Sequence, residues 1–552
     1  MKEVVCINVG QSGVQLANAA WELFCIEHGI QANGQLKESL QDDDSIAFRT
    51  FFHEVPNGQY VPRVISMDLE PTVLDEVRTG SYRNLFHPDQ LISGCEDAAN
   101  NFARGHFTLG KEIIDRIMNV VRKSAECCDY LQNFFILNSF GGGTGSGFTS
   151  LLLEKLAVEY SNRFRVQLSI CISPVLTTSV VEPYNAVLTI HSSMEHTDIA
   201  ILTDNEAIYD ICLETLNIPR PTYANINRLI AQNFSDMTAS IRFESSLSSD
   251  MDQLITNLIP YPRIHFPVMS HAPNISISRA EHQPLDTGEI TRMVFGRSCI
   301  LVTCDPTIGK YMSCCLQYRG DVTPKDVNAS IYDIKKRSDI KFVEWCPTGF
   351  KLGINSQPNV TVPASEMAQT SRSISMLSNT SAINQAWKNV NKKYDLLFYR
   401  RAFVHWFVGE GMEEGEMNEA RDDIAILIAD YEEITEDTEE VGEIITTQLD
   451  QGLTARSQQA EASFLRLNKS RSQESLKPSM QLFAGSRILP ENPKSIANKT
   501  NDYKAVSEAE DNDDEDNDEE DEDEENEARM ENIKATSGSV FTSSKLTSTS
   551  SN

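Results

Sequence analysis

Ser139-Phe140-Gly141-Gly142-Gly143-Thr144-Gly145-Ser146-Gly147 is the stretch on which the reading of the fold turns. The apolar run Phe134-Phe135-Ile136-Leu137 before it has the length of a buried strand. After it, Phe148, Leu151, Leu152, Leu156 and Tyr160 recur at helical spacing. Five glycines between a strand and a helix leave a bare backbone. Successive N–H groups there can face an anion, and the helix N-terminus adds a partial positive charge. The loop lacks the lysine of GxxxxGK[ST] and does not satisfy GxGxxG, so the phosphate reading rests on glycine density and position.

The same grammar repeats along the chain. Residues 4–9 read as a strand, Gly10-Gln11-Ser12-Gly13 as a turn, and residues 14–27 as a helix carrying Val14, Leu16, Ala17, Ala20, Trp21 and Phe24. Val64–Asp68, Val166–Ile172 and Ala200–Leu202 read as further strands, the last running into Asp204-Asn205-Glu206. This alternation predicts an α/β fold, a mostly parallel sheet with helices on both faces and ligands at the carboxyl ends of the strands. A long helix is expected over 206–242, broken near Pro219 and Pro221. A second α/β unit is expected over 265–380, with strands near Ser298–Cys304, Tyr311–Tyr318 and Phe342–Trp345. Two surface helices, 381–398 and 415–433, follow. Beyond residue 441 the periodicity fades and Ser, Thr, Asn, Gln and charge dominate, the composition of a disordered extension.

The 552 residues carry a formal charge of −32, from 80 acidic and 48 basic side chains. Residues 441–552 hold −11 of it and residues 1–440 hold −21. Binding to nucleic acid by bulk charge is therefore disfavoured, and basic partners are expected instead. The 12 cysteines include no CxxC pair, so a zinc or thioredoxin-like signature is absent. Met1-Lys2-Glu3 leads directly into a strand rather than a signal peptide, and no apolar run approaches a membrane span. These features are those expected of a cytoplasmic chain with reduced thiols.

Three other strand ends can converge on the glycine loop. Gly10-Gln11 offers an amide beside a helix start, and Asp204-Asn205-Glu206 offers groups for a ribose or base. Asp68-Leu69-Glu70 sets two carboxylates after a strand, where one can hold Mg2+ directly or through water. Each motif alone is more often a cap or turn than a ligand site. With the loop they describe a nucleotide site.

The loop with its flanks resembles the signature of tubulins, and the similarity runs through residues 1–440. The segments VGQSGVQLANAAWELFCIEHGIQ, DLEPTVLDEVRTG, FHPDQLISGCEDAANNFARGH, VVEPYNAVL, DNEAIYDIC, YPRIHFP, YRGDVTPKDVN and RAFVHWFVGEGMEEGE carry it. GEGMEEGE and the extra residues around 356–366 resemble the α class. The resemblance implies GTP as ligand, with Gln11, Gly142, Gly143, Thr144 and Gly145 at the phosphates and Ser139 near the α-phosphate. It implies Mg2+ at Glu70 with Asp68 and Asp97 behind it, and Asn100 at the γ-phosphate end. Thr178 and Glu182 would line the ribose, Asn205 and Asn227 would read the guanine, and Tyr223 would stack on it. It implies a GTP-binding domain over 1–205, a linking helix region over 206–242, an intermediate α/β domain over 243–380 and C-terminal helices over 381–440. It further implies microtubules of the cytoskeleton, cytoplasmic or ciliary, a β-tubulin-type subunit bound head to tail, and motor and accessory proteins on the acidic face. A tubulin-fold GTPase that does not polymerise, or a protein that caps or sequesters tubulin, is the alternative.

The chain departs from the family pattern at three places. In the family an acidic residue acts on the neighbouring subunit's GTP. Here Gln253 stands in its place, Ser245 and Ser248 replace Gly and Asn, and Asp250 alone is retained as a candidate catalytic residue. A neutral amide cannot take a proton from water, so weakened activation of the neighbour's hydrolysis is expected. Around residues 35–47 the only lysine is Lys37, out of place for the family's acetylated lysine. The third departure is the tail, whose residues 508–527 contain 16 Asp or Glu and no Lys or Arg.

Overall fold

The computed structural model describes residues 2–37 and 46–436, except 244, 248, 281, 283, 284, 347 and 364. The expectations for 38–45 and for the acidic extension over 441–552 lie outside these residues.

Thirteen strands are present among the described residues: β1 Glu3–Val9, β2 Phe52–Val55, β3 Gln59–Pro62, β4 Val64–Asp68, β5 Leu91–Ser93, β6 Leu131–Ser139, β7 Phe164–Cys171, β8 Ile199–Asp204, β9 Ser245–Leu247, β10 Val268–Ala272, β11 Tyr311–Gly320, β12 Phe350–Asn355 and β13 Arg372–Thr380. Eleven form one sheet in the order β5-β4-β1-β6-β7-β8-β10-β13-β11-β12-β9, and β2 and β3 pair separately. From β5 through β10 every pairing is parallel. β13 runs antiparallel to both β10 and β11.

Strands covered on both faces read as continuous apolar runs. All seven residues of β1 are buried, and its alternation sends Val4 and Cys6 to one core and Val5, Ile7 and Val9 to the other. The helices of this region are α1 Gly10–Glu27, α2 Pro71–Thr79, α3 Leu109–Glu126, α4 Thr149–Glu159, α5 Glu182–His196, α6 Asn205–Glu214, α7 Tyr223–Arg242 and α8 Met251–Leu258. The first core takes Trp21 and Phe24 from α1 and Phe234 from α7; the second takes Ile117 from α3 and Leu152 from α4. Trp21 meets Phe24, Phe51 and Phe52 edge-on at 5.5, 5.9 and 5.5 Å, the favoured geometry for ring pairs.

A buried ionic network ties these layers to the second half of the sheet. Glu27 of α1 accepts from Arg242 of α7 at 2.7 Å and from Arg319 of β11 at 2.9 Å, and Arg319 also donates to Asp236 at 2.9 Å. Burial would raise the Glu27 carboxyl, but the two guanidinium groups outweigh it and hold it down to about 2. Burial, with Arg242 beside it, lowers His28 to about 3.

The 206–242 helix breaks where the sequence placed the break, into α6 and α7 on either side of the segment that holds Pro219 and Pro221. The structure corrects two other expectations. Residues 298–304 are not a strand: a short 3-10 turn opens them, and a single bridge joins Ile300 to Ser270. Their apolar side chains are buried because the segment crosses between β8 and β10, Asp204 donating to the Leu301 carbonyl and Leu301 to that of Met269. Phe342–Trp345 likewise contributes only one bridge, Tyr311 to Phe342. Among the strands that sequence reasoning did not place is β13, a run rich in Ser and Asn. Several of those side chains find partners inside the fold: Ser375 donates to Asn233, and Asn379 donates to the carbonyls of Leu258 and Ile264.

Candidate nucleotide site

The parallel strands β1, β4, β6 and β8 deliver their carboxyl ends to one edge of the sheet. Gly10-Gln11, Asp68–Glu70, the glycine loop and Asp204–Glu206 therefore stand along a single rim. The glycines make this assembly possible. A Cβ on Gly10 would lie 3.1 Å from the Gly145 nitrogen, and one on Gly143 would lie 2.6 Å from the Asn101 nitrogen. Gly142 differs, because a Cβ there would meet nothing within 4 Å. The loop is thus clamped on its inner side and open at Gly142.

Side chains fix the clamp. Asn138 donates to the Gly145 carbonyl at 2.9 Å, and the Ser139 hydroxyl accepts from the Gly141 N–H at 3.3 Å. The Ser146 hydroxyl donates to the Gly142 carbonyl. Asn185 of α5 donates to the carbonyls of Asn100 and Gly141 at 2.8 and 2.9 Å and accepts from the Phe102 N–H. It binds the loop after β5 to the glycine loop. Sequence reasoning did not single out Asn185, although it lies three residues after Glu182 and so shares its helix face. Ala99 and Asn100 both have left-handed backbone, with φ of 50° and 56°. Such geometry is costly outside glycine and clusters at functional sites.

The expected ribose residues are linked to one another: Glu182 accepts from the Thr178 N–H at 2.8 Å and from its hydroxyl at 2.6 Å. At the next strand end Asp204 caps α6 through the Glu206 N–H, and Glu206 accepts from the Val175 N–H at 2.9 Å. Asn205 opens α6, Tyr223 opens α7 with its ring exposed, and Asn227 lies one turn further along.

Carboxylates gather along this rim in the loops after β4 and β5. Burial pushes the Asp68 carboxyl up to about 7, with Asp97 and Glu70 adding to the rise against hydrogen bonds from the backbone of Glu70 and Leu69. Glu70 is partly exposed and accepts from the Thr72 hydroxyl at 2.7 Å. Among the described residues no group of three or more metal-binding side chains forms an all-protein cage. The donor set suits Mg2+, which takes one or two carboxylates and completes its shell with phosphate oxygens and water.

Asp250 and Gln253 do not join this rim. Asp250 pairs with Lys2, just before β1, at 2.6 Å, and Asp252 accepts from Gln132, near the start of β6, at 2.9 Å. Gln253 accepts from Lys351 of β12 at 2.8 Å. These contacts fix α8 at the amino ends of the strands whose carboxyl ends carry the glycine loop. At about 3.3 Å per residue, a strand of this length separates the two by roughly 20–30 Å. Of the other altered positions, Ser245 lies in β9 and Ser248 is outside the described residues.

No helix among the described residues is long and apolar enough to cross a membrane. Two family models match the chain: the Tubulin/FtsZ family GTPase domain over residues 3–213, and the tubulin C-terminal domain over residues 262–392.

Proposed function

The chain belongs to the tubulin family as a GTP-binding protein of the cytoskeleton, and from that premise we propose that it is an α-type subunit, joined head to tail to a β-type subunit in microtubules. One observation carries the proposal: the glycine loop and the Asp250–Gln253 stretch lie at opposite ends of the same strands. Gln253 cannot reach the nucleotide of its own chain. It meets a nucleotide only when another subunit sets its rim against this end, which is what head-to-tail stacking supplies.

The exposed side chains around both ends agree with this. Beside the nucleotide rim Val175, Leu176, Val180, Tyr223 and Trp406 are exposed, and Asn101 ties the rim to Trp406 by donating to its carbonyl at 3.0 Å. Beyond α8, Tyr261 and Trp345 are exposed and pack edge-on at 6.0 Å. Exposed apolar patches of this kind mark protein interfaces.

In this reading GTP lies against Gly142, Gly143, Thr144 and Gly145, with Gln11, Ser139 and Asn100 at its phosphates. Thr178 and Glu182 face the ribose, and Asn205, Tyr223 and Asn227 face the base. Glu70 holds Mg2+, supported by Asp68 and Asp97. The ion would neutralise phosphate charge, while the chain's own residues bind and orient the nucleotide and shield it from water once the next subunit covers the rim. The division into 1–205, 206–242, 243–380 and 381–440 is kept. Helix Glu414–Glu436, acidic along its length, is the docking face for motor and accessory proteins of basic charge.

Co-sedimentation with a β-type tubulin, followed by nucleotide analysis of the pellet, tests the proposal. Incorporation with one GTP retained per chain supports it. A soluble complex that never pellets would instead identify a sequestering protein, and multiple turnover by the isolated chain would identify a stand-alone GTPase.

A further inference from the structure

We propose that Lys351 is a positioning residue that turns Gln253 into a hydrogen-bond donor toward the neighbouring subunit's phosphate, so that this chain holds its partner's GTP instead of helping to hydrolyse it; this rests on the head-to-tail reading above. Lys351 Nζ lies 2.8 Å from Gln253 Oε1. An ammonium can only donate, so the amide oxygen must face it. The Nε2 amino group, which can only donate, is left for the surface. Gln253 is exposed, on the side of α8 opposite to buried Leu254 and Leu258, so that amino group points away from the core.

The chemistry follows from which atom is free. A glutamine that activates a phosphoryl transfer orients the attacking water, and that requires its carbonyl oxygen as acceptor. Here Lys351 turns that oxygen back toward its own strand and away from the exposed face. What remains suits a phosphate oxygen, an acceptor, and not a water that must lose a proton. The carboxylates nearby are each drawn to partners on the same chain: an Asp250 oxygen is held by Lys2 at 2.6 Å and an Asp252 oxygen by Gln132 at 2.9 Å. One acceptor atom on each of Asp250, Asp252 and Gln253 is thus held by a donor from the same chain.

The test is single-turnover hydrolysis of GTP in copolymers of the full chain with a β-type tubulin, with pelleting measured on the same samples. Lys351→Met should free the Gln253 oxygen and raise the rate about tenfold, below the ~10²-fold or more of a restored carboxylate. Lys351→Arg, which keeps a donor, should leave the rate unchanged. In a Gln253→Ala background, Lys351→Met should have no effect, because the coupling runs through the amide. A pH profile adds a readout that a merely structural role would not move. In the Gln253→Glu variant the acidic limb should lie at lower pH than in the Gln253→Glu, Lys351→Met double variant, since the ammonium holds a carboxylate in its charged form. Lys351→Thr, suited to a strand, repeats the test if Met disturbs β12. Failure of the parent chain to pellet overturns the head-to-tail reading and this inference with it. Normal pelleting, with Lys351→Met acting equally with and without the Gln253 side chain, overturns the role of Lys351 alone.

Discussion

The two ends of the parallel strands are built on different principles. At the carboxyl end the backbone does the work: glycines permit approaches no Cβ would tolerate, and Asn138 and Asn185 hold the loops from behind. At the amino end side chains do it, through Lys2 with Asp250, Gln132 with Asp252 and Lys351 with Gln253. The first end depends on shape and tolerates little change. The second depends on which donors and acceptors are left over, so a single substitution can reverse its chemistry while the fold stands.

The largest effect should come from the carboxyl end. Gly143→Ala forces a Cβ to within 2.6 Å of the Asn101 nitrogen and 2.9 Å of Ala98 Cβ, and should abolish nucleotide retention. Gly142→Ala meets no protein atom within 4 Å. It should leave thermal unfolding unchanged in nucleotide-free buffer while weakening GTP binding by equilibrium titration. Equal behaviour of the two variants would remove the distinction between the clamped and open sides of the loop.

Next comes the network between the two halves of the sheet. Glu27→Gln leaves Arg242 and Arg319 buried without their shared carboxylate, and should cost about 3–5 kcal/mol in denaturant unfolding. The same network sets the acid response. His28, lowered to about 3 from an unfolded value of 6.5, takes up a proton on unfolding throughout that interval, so its contribution falls as pH drops below about 6.5. Glu27, held near 2, contributes fully above its unfolded value of 4.5 and is lost as pH falls from there toward 2. Asp68, raised to about 7, takes up its proton first in the folded state and offsets the His28 loss between about pH 6.5 and 4, so the clearest decline should be the Glu27 step below about pH 4.5, and it should vanish in Glu27→Gln.

At the amino end the effects are kinetic. Gln253→Glu restores a proton acceptor and should raise single-turnover hydrolysis in copolymers by about 10²-fold, without changing the nucleotide held at the chain's own rim. The smallest effect is that of Lys2→Met. The Lys2–Asp250 pair is partly exposed and should contribute no more than about 1 kcal/mol to stability.

The carboxyl end was legible in the sequence because its signal is local. Gly141–Gly147 sits between an apolar strand and an amphipathic helix, and the same junction recurs at Gly10 and Asp204, so the parallel sheet and the rim followed. Asn185 escaped because its role depends on two loops far away in sequence, joined only in the folded chain. β13 escaped because its Ser and Asn side chains look like loop chemistry until their buried partners are known. Residues 298–304 misled in the opposite sense, since an apolar run reports burial and not strand pairing. The placement of Gln253 was the least accessible feature from residue pattern. It is fixed by contacts with Lys351, 98 positions along the chain, and with the strand starts that anchor its neighbours.

The most direct test of the central claim follows the nucleotide itself. Full-length chain and β-type tubulin are assembled with γ-labelled GTP, pelleted and denatured, and the label and base are counted. The account predicts one intact GTP retained per chain and slow loss of label from the partner, accelerated by Gln253→Glu in this chain alone. A pellet in which the chain brings no guanine nucleotide, or in which that substitution leaves the partner's label untouched, would contradict it.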